Sequence, residues 1–326
     1  MVLLSVRDLR VEFATSGGVV TAVDGASFDV GAGETVALLG ESGSGKSVTA
    51  QAILGIVPKP AGRVTGGSIS YDGRDLLTAA KGLRGREIAM VFQDPLSSLN
   101  PVFRVGAQIG EMFRRHRGAS RREARAAALD LMKRVGIPAA SKRLDDYPHQ
   151  FSGGMRQRVM IAMALALSPR LLIADEPTTA LDVTVQAQIM DLLTRLQAEE
   201  GMSLVLITHD LGVVAGVADR VILMYAGRVV ETGSLREVYE HSGHPYTSGL
   251  MASVPALDGP RDRLVPIQGA PPDLLALPSG CSFRPRCQYA DEQCAEAEPV
   301  LRQLPDRPST HQAACHHPEG VLTDVH

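Results

Sequence analysis

Three short stretches of the chain combine residue types and spacings suited to phosphate chemistry. They are Gly40-Glu41-Ser42-Gly43-Ser44-Gly45-Lys46-Ser47, Phe151-Ser152-Gly153-Gly154-Met155-Arg156-Gln157-Arg158 and Leu171-Leu172-Ile173-Ala174-Asp175-Glu176-Pro177. In the first, glycines at 40, 43 and 45 let the backbone wrap a phosphate chain and turn several N–H groups toward it. Lys46 adds a point charge for the β- and γ-phosphates, and the hydroxyl of Ser47 suits Mg²⁺. In the third, an apolar run delivers Asp175 and Glu176 to the C-terminal edge of a sheet, where doubly wound folds keep their ligands. Asp175 suits Mg²⁺ through water, and Glu176 suits polarising an attacking water. An acidic pair after a strand is by itself an ordinary solvated strand end. Beside a phosphate loop, it reads as a nucleotide hydrolase. In the second stretch, Ser152-Gly153-Gly154 opens a helical run over 155–167, so another helix N-terminus is available for an anion. The chain already has one phosphate site, and this second end reads as facing phosphates bound by a different subunit.

The elements that must position these groups follow from the apolar patterning. Residues 34–39 read as a buried strand before the phosphate loop, and a helix begins near Gly45 with its helical run over 48–56. Residues 2–30 read as short strands around the turn Ser16-Gly17-Gly18. Next come a strand at 68–71, the turn Asp72-Gly73 and a strand at 87–92. From 95 to 150 the pattern turns helical and charged. Within 120–135 the residues Ala124, Ala127, Ala128, Leu131, Met132 and Val135 share one face, with Arg and Asp opposite. This stretch reads as a helical lobe inserted into an α/β core. The core resumes with a strand from Leu171, a helix at Val183–Glu200, and strands at Ser203–Thr208, Arg220–Tyr225 and 228–231. After Leu235, Pro and Gly become dense (Pro255, Pro260, Pro266, Pro271, Pro272, Pro278), as expected for an extended accessory tail.

Composition narrows the class. With 326 residues there is room for a sizeable core and more than one lobe. Basic and acidic residues nearly cancel, 33 against 36, which gives no hint of a nucleic-acid partner. The longest apolar stretch is broken by Ser168-Pro169-Arg170, and nothing reaches the roughly 20 residues that span a bilayer. With Arg7, Asp8 and Arg10 early, the N-terminus does not read as a secretory signal. A soluble cytoplasmic protein is expected, with membrane association through a partner.

Several longer stretches point to one family. They are Val91-Phe92-Gln93-Asp94-Pro95-Leu96-Ser97-Ser98-Leu99-Asn100-Pro101, the run from Tyr147 to Arg158, and Ala174 to Asp182. His244-Pro245-Tyr246-Thr247 and Gly280-Cys281-Ser282-Phe283-Arg284-Pro285-Arg286-Cys287 add to them from the tail. Together they resemble the ATP-binding cassette (ABC) family, and within it the ATP-binding subunits of bacterial dipeptide/oligopeptide importers. The resemblance covers nearly the whole chain. It implies an ABC-type nucleotide-binding domain over 1–235: a RecA-like core, an antiparallel β subdomain and an inserted helical subdomain at about 95–158. The Cys-containing accessory region would cover 236–326. It also implies ATP and Mg²⁺, head-to-tail pairing with a second, non-identical ATPase, two transmembrane permeases and an extracytoplasmic substrate-binding protein. The chain would sit peripherally on the cytoplasmic face of the inner membrane. Related cassettes that serve nickel, glutathione or other solutes share much of the core. A soluble ABC ATPase acting on DNA or ribosomes, or a redox sensor built on the tail, are the rival readings.

The resemblance also assigns smaller sites, each with an ordinary alternative. Gln93, otherwise a solvated strand cap, matches the Q-loop whose amide oxygen reaches Mg²⁺ or water. Ser97 and Leu99, in the loop after it, are placed to meet a permease. His209, otherwise structural, matches the switch histidine of the γ-phosphate. Asp182 matches the D-loop, and Phe13 stands where an aromatic stacks on adenine or else is core. The commonest signature has Leu first and Gln fifth, against Phe151 and Met155 here, and Met155 cannot donate an amide hydrogen bond.

All four cysteines (Cys281, Cys287, Cys294, Cys315) fall in the tail. In a cytoplasmic protein disulfides are disfavoured, and a metal site is the better reading. The spacing is not that of a paired-CxxC zinc ribbon. Zn²⁺, an iron–sulfur cluster or no metal remain open, with His316 and His317 as substitute ligands. The resemblance implies a [4Fe–4S] cluster. Because the tail reads as separate from the core, ATP binding is expected to be indifferent to it.

Overall fold

The computed structural model describes residues 1–78, 82–253, 267–318 and 321. Pro255, Pro260 and Pro266, part of the expected tail, lie outside the described residues. The chain divides into two compact units. The first comprises Met1–Val30, Thr35–Ala79 and Thr208–His326, and the second Gly31–Glu34 with Ala80–Ile207.

In the first unit, the N-terminal segment forms two 14-residue strands, Val2–Thr15 and Gly18–Gly31, rather than several short ones. The reason lies in the inside–outside alternation. Leu4 and Val6 are buried on even positions, Leu9 and Val11 on odd ones. The pairing with Gly62–Tyr71 shifts register between Arg7 and Arg10, and Asp8 has φ 46°. A bulge therefore moves the parity by one residue, so one continuous strand reads as two pieces. The antiparallel sheet runs Gly18–Gly31, Val2–Thr15, Gly62–Tyr71, Arg74–Asp75.

Thr35–Leu39, buried throughout, pairs in parallel with Arg220–Tyr225 (Val36 opposite Arg220, Leu39 opposite Leu223). Continuous apolar runs of this kind suit strands covered on both faces. Arg220–Tyr225 turns back antiparallel into Arg228–Ser234, three residues longer than the sequence reading. Among the described residues, two short strands of the tail fold onto this edge, whereas Pro271, Pro272 and Pro278 lie in chain without helix or strand. Gln312–Ala313 adds to Arg228–Ser234, and Arg302–Gln303 adds to Gln312–Ala313. Two helices, Leu235–Glu240 and Pro245–Ala252, precede them. Ser234 and Glu237 close a capping box on the first. Pro245 starts the second, where its missing N–H costs nothing. The buried Glu231 carboxylate ties the segment down, accepting from the N–H groups of Gly243 (2.7 Å) and His244 (3.1 Å), with His311 Nε2 3.0 Å away.

In the second unit, Ile88–Val91, Leu171–Asp175 and Ser203–Thr208 form a parallel ladder in that order. Val183–Glu200 connects the last two, with Asp182 accepting from Val185 N at its start and Gly201 in the left-handed region at its end. The helical lobe is present as Val105–Arg117 and Arg121–Arg134 with shorter helices at Pro95–Ser98 and Ala140–Arg143. Ala124, Ala128, Leu131, Met132 and Val135 are buried as expected, and Ala127 is half-buried. No described helix is long and apolar enough to cross a membrane.

Candidate functional site

The residues expected at the site are shared between the units. The phosphate loop, Phe13, His209 and the cysteines belong to the first, and Gln93, Ser152–Met155, Asp175, Glu176 and Asp182 to the second.

The phosphate loop follows Thr35–Leu39 directly and leads into the helix Lys46–Leu54, with Gly45 as its N-cap. Two glycines are required by their surroundings. Gly40 has φ 147°, and a Cβ there would stand 2.3 Å from Met224 O; Gly45 has φ 102°, and a Cβ would stand 2.5 Å from Ala22 O. Ser42 and Gly43 are exposed at the tip, whereas Ser44 is buried and its N–H donates to Glu41 O at 3.2 Å. Lys46 is buried and folds back over the loop, its Nζ donating to the carbonyls of Gly40 (2.7 Å) and Glu41 (2.8 Å). Ser47 is half-buried in the first helical turn.

Glu41 is held from the tail. Its N–H donates to Tyr246 Oη at 2.7 Å, and its two carboxylate oxygens accept from Arg286 at 2.7 and 3.0 Å. Sequence reasoning did not find these contacts. Tyr246 and Arg286 do lie inside the two tail motifs that carried the family resemblance. His209 is exposed just beyond Ser203–Thr208, and the following Asp210 caps Leu211–Val214. Phe13 is half-buried, and a Cβ on Gly62 would stand 2.6 Å from its ring.

In the second unit, the ladder brings Gln93 and Glu176 together: Gln93 Nε2 donates to Glu176 Oε2 at 2.8 Å. Thr179, which sequence reasoning missed, donates its hydroxyl to the same oxygen at 2.8 Å. Glu176 sits at φ 45°, a conformation uncommon for a residue with a side chain, and its N–H donates to Ile207 O. Asp175 is buried at the end of its strand. Ser152 caps the 13-residue helix Gly153–Leu165, accepting from Met155 N at 3.3 Å, and Ser152 and Gly153 are exposed. Phe151 is buried, so its ring takes the packing place that Leu would fill. Gly154 lets the Asp182-capped helix approach, since a Cβ would stand 2.6 Å from Val185 Cγ1. The loop after Gln93 is pinned by buried Gln108, which bonds Asn100 N and the carbonyls of Asn100 and Phe103. Leu96, Val102 and Phe103 are exposed there, but Leu99 is buried and not placed to meet a partner.

The cysteines are free, Cys294 buried and the others half-buried. Burial pushes the Cys315 thiol up to about 12 and Cys281 up to about 11; the other three cysteines add to the first shift, and Glu298 and Cys294 to the second. Burial raises Cys287 and Cys294 as well. Asp291, Cys294 and His317 also bring one ligand atom each within 4.8 Å of one another.

A phosphate loop, a parallel ladder ending in Asp175-Glu176 and a capped Ser-Gly-Gly helix define an ATPase of the ABC type. Residues 23–179 match the "ABC transporter" family and residues 230–294 the "Oligopeptide/dipeptide transporter, C-terminal region". The oligopeptide transport ATP-binding protein of Salmonella typhimurium is 52% identical over 310 residues, 94% of this chain and 92% of that protein. The dipeptide transport ATP-binding protein of Bacillus subtilis is 51% identical over 301 residues, 91% of this chain and 90% of that protein. A dimeric ATP-binding cassette in a post-hydrolysis state, bound to ADP and Pi, superposes with TM-score 0.64 at 29% identity, covering 72% of this chain and 99% of that one. The chain belongs to the ABC transporter ATPases and carries the C-terminal region of the oligopeptide/dipeptide branch.

Proposed function

We propose that the chain hydrolyses ATP to power the import of dipeptides or oligopeptides. It would work on the cytoplasmic face of the membrane with two permeases, a second, non-identical ATPase and an extracytoplasmic binding protein. The observation that carries this reading is the union in one chain of the ATPase motifs and the peptide-transporter C-terminal region. The buried carboxylate of Asp175 and the half-buried hydroxyl of Ser47 are hard oxygen donors, the kind Mg²⁺ takes. Bound Mg²⁺ would neutralise charge on the β- and γ-phosphates.

The chain's own groups do the rest. Lys46 leaves the Gly40 and Glu41 carbonyls for the phosphates, beside the loop amides and the helix end. Glu176 takes the proton of the attacking water, its carboxylate aimed by the Gln93 amide and the Thr179 hydroxyl. His209 orients the γ-phosphate. The Ser152–Gly153–Gly154 helix end, exposed at Ser152 and Gly153, serves the ATP of the partner ATPase, and Met155 gives that site no amide hydrogen bond. Asp182 stands at the same dimer interface, and Phe13 stacks on adenine. In the helical lobe, the exposed Phe103 helps line, with Ala107 and Glu111, a cavity of about 500 Å³ where a permease helix would dock.

The four gathered thiols fit a soft, thiolate-ligated group, and we assign a [4Fe–4S] cluster to them. The Asp291–Cys294–His317 grouping favours Zn²⁺ as the second reading. Iron and sulfide at about four each per chain support the first, stoichiometric zinc the second.

The test of the main reading is Glu176→Gln in the assembled complex. ATP binding is retained, while hydrolysis and ATP-driven uptake of a labelled peptide fall by about a hundredfold or more. Near-normal turnover would remove Glu176 from its role, and wild-type ATP hydrolysis without peptide uptake would reject the substrate class.

A further inference from the structure

The phosphate loop carries a carboxylate, Glu41, at its second position, although the loop exists to hold anions. A negative charge there opposes nucleotide phosphates unless something cancels it. The structure supplies the cancelling charge from 245 residues further along the chain. Arg286 presents both terminal nitrogens to both Glu41 oxygens, at 2.7 and 3.0 Å, in the bidentate fork that suits guanidinium and carboxylate. The Arg286 side chain is 6% exposed and that of Glu41 24%.

We propose that Arg286 is a positioning residue for nucleotide binding: it neutralises the Glu41 carboxylate on the loop in which Lys46 sits, so that the loop can take the phosphates. The proposal rests on reading Gly40–Ser47 as the ATP loop.

Arg286 has little freedom to do anything else. Its Nε donates to Gln268 O at 3.0 Å, and its guanidinium lies 5.8 Å from the Tyr225 ring and 5.9 Å from the Phe283 ring. Those rings belong to one cluster with Tyr246, which is fully buried; Tyr225 lies 4.8 Å from Tyr246, and Phe283 meets Tyr225 edge-on at 5.2 Å. Tyr246 in turn accepts the Glu41 N–H. The tail thus grips residue 41 by main chain and side chain together. The Glu41 carbonyl is also one of the two that hold Lys46 Nζ, so a shift at residue 41 reaches the loop's own cation. Losing Arg286 leaves the half-buried Glu41 carboxylate uncompensated.

A purely mechanical fastening would also join tail to loop, and the two roles separate by charge. The experiment is calorimetric titration of Mg-ATP into the full-length chain, with thermal melting to check folding. Arg286→Ala is expected to weaken ATP binding by about tenfold or more, because an unpaired carboxylate then faces the phosphates. The loss shrinks at high salt. Adding Glu41→Gln to Arg286→Ala recovers most of the lost affinity, which lost fastening alone would not allow. Arg286→Lys, which keeps the charge without the fork, falls between wild type and Arg286→Ala. Wild-type affinity in Arg286→Ala, or a double variant as weak as Arg286→Ala, overturns the proposal. Absence of ATP binding by the wild-type chain would instead overturn the reading of the loop.

Discussion

Glu176 shows how a motif residue depends on neighbours that the motif does not announce. The apolar run before it and the phosphate loop earlier in the chain made the carboxylate legible. Nothing in the sequence said how it would be aimed. Two donors, Gln93 Nε2 and Thr179 Oγ1, reach the same Oε2 at 2.8 Å each. The family resemblance assigns the Gln93 amide oxygen to Mg²⁺ or water; the structure shows its amide nitrogen donating to the carboxylate. Thr179 was missed because a threonine in a turn is commonplace, and only its position three residues after Glu176 signals the bond. Removing that bond without changing shape is the appropriate test. Thr179→Val should lower the turnover of the assembled complex by about tenfold or more, the loss of one hydrogen bond to a charged group. Thr179→Ser should recover most of it, and ATP affinity should hold in both. Unchanged turnover in Thr179→Val would leave Gln93 as the group that aims Glu176.

Elements with one dominant physical cause were the legible ones. The Val183–Glu200 helix and the Ser203–Thr208 and Arg220–Tyr225 strands occupy the expected residues, because caps or unbroken apolar runs fix them locally. The N-terminal strand was misread because a bulge at Asp8 breaks the alternation that strand reading depends on. The tail was only partly legible. The described prolines that suggested extended chain, Pro271, Pro272 and Pro278, do lie outside helix and strand, but the ties that fold neighbouring segments back are buried polar contacts with no periodicity. His244 is one of them. Its Nδ1 accepts from Tyr246 N at 3.1 Å, capping Pro245–Ala252. Burial lowers its pKa from 6.5 to about 3. The unfolded chain therefore takes up a proton that folded His244 refuses, and stability falls as pH drops below 6.5. Between pH 7 and pH 5 this linkage amounts to about 2 kcal/mol. His244→Asn keeps a capping acceptor and removes the titration. In urea unfolding, it should lose less stability over that interval than wild type by about this amount. Equal losses in the two proteins would show that His244 charges without penalty.

The sequence divided the chain into an ATPase and a tail, and inferred that disturbing the tail would spare ATP binding. In the structure, the described tail residues fall in the same compact unit as the phosphate loop, and Glu41 is where they meet. The cysteines bracket the connecting residue. Arg286 precedes Cys287, lies in the Arg284–Arg286 turn, and follows Cys281, whose N–H donates to Cys294 O at 2.8 Å. Anything that fixes the thiols also fixes the turn that presents Arg286. Cys287→Ser keeps the size of the side chain and removes one thiol of the proposed metal site. It should lower the metal content of anaerobically purified protein and open the tail to protease. It should also weaken Mg-ATP binding to the full-length chain in the same direction as Arg286→Ala. A tail loosened to protease with ATP affinity intact would return the tail to the independent status that its composition implied. Lost affinity with full metal content would place the effect at the turn itself. Lost metal, a loosened tail and weakened ATP binding together would make the thiol site a determinant of the nucleotide site, connected through Arg286 and Glu41.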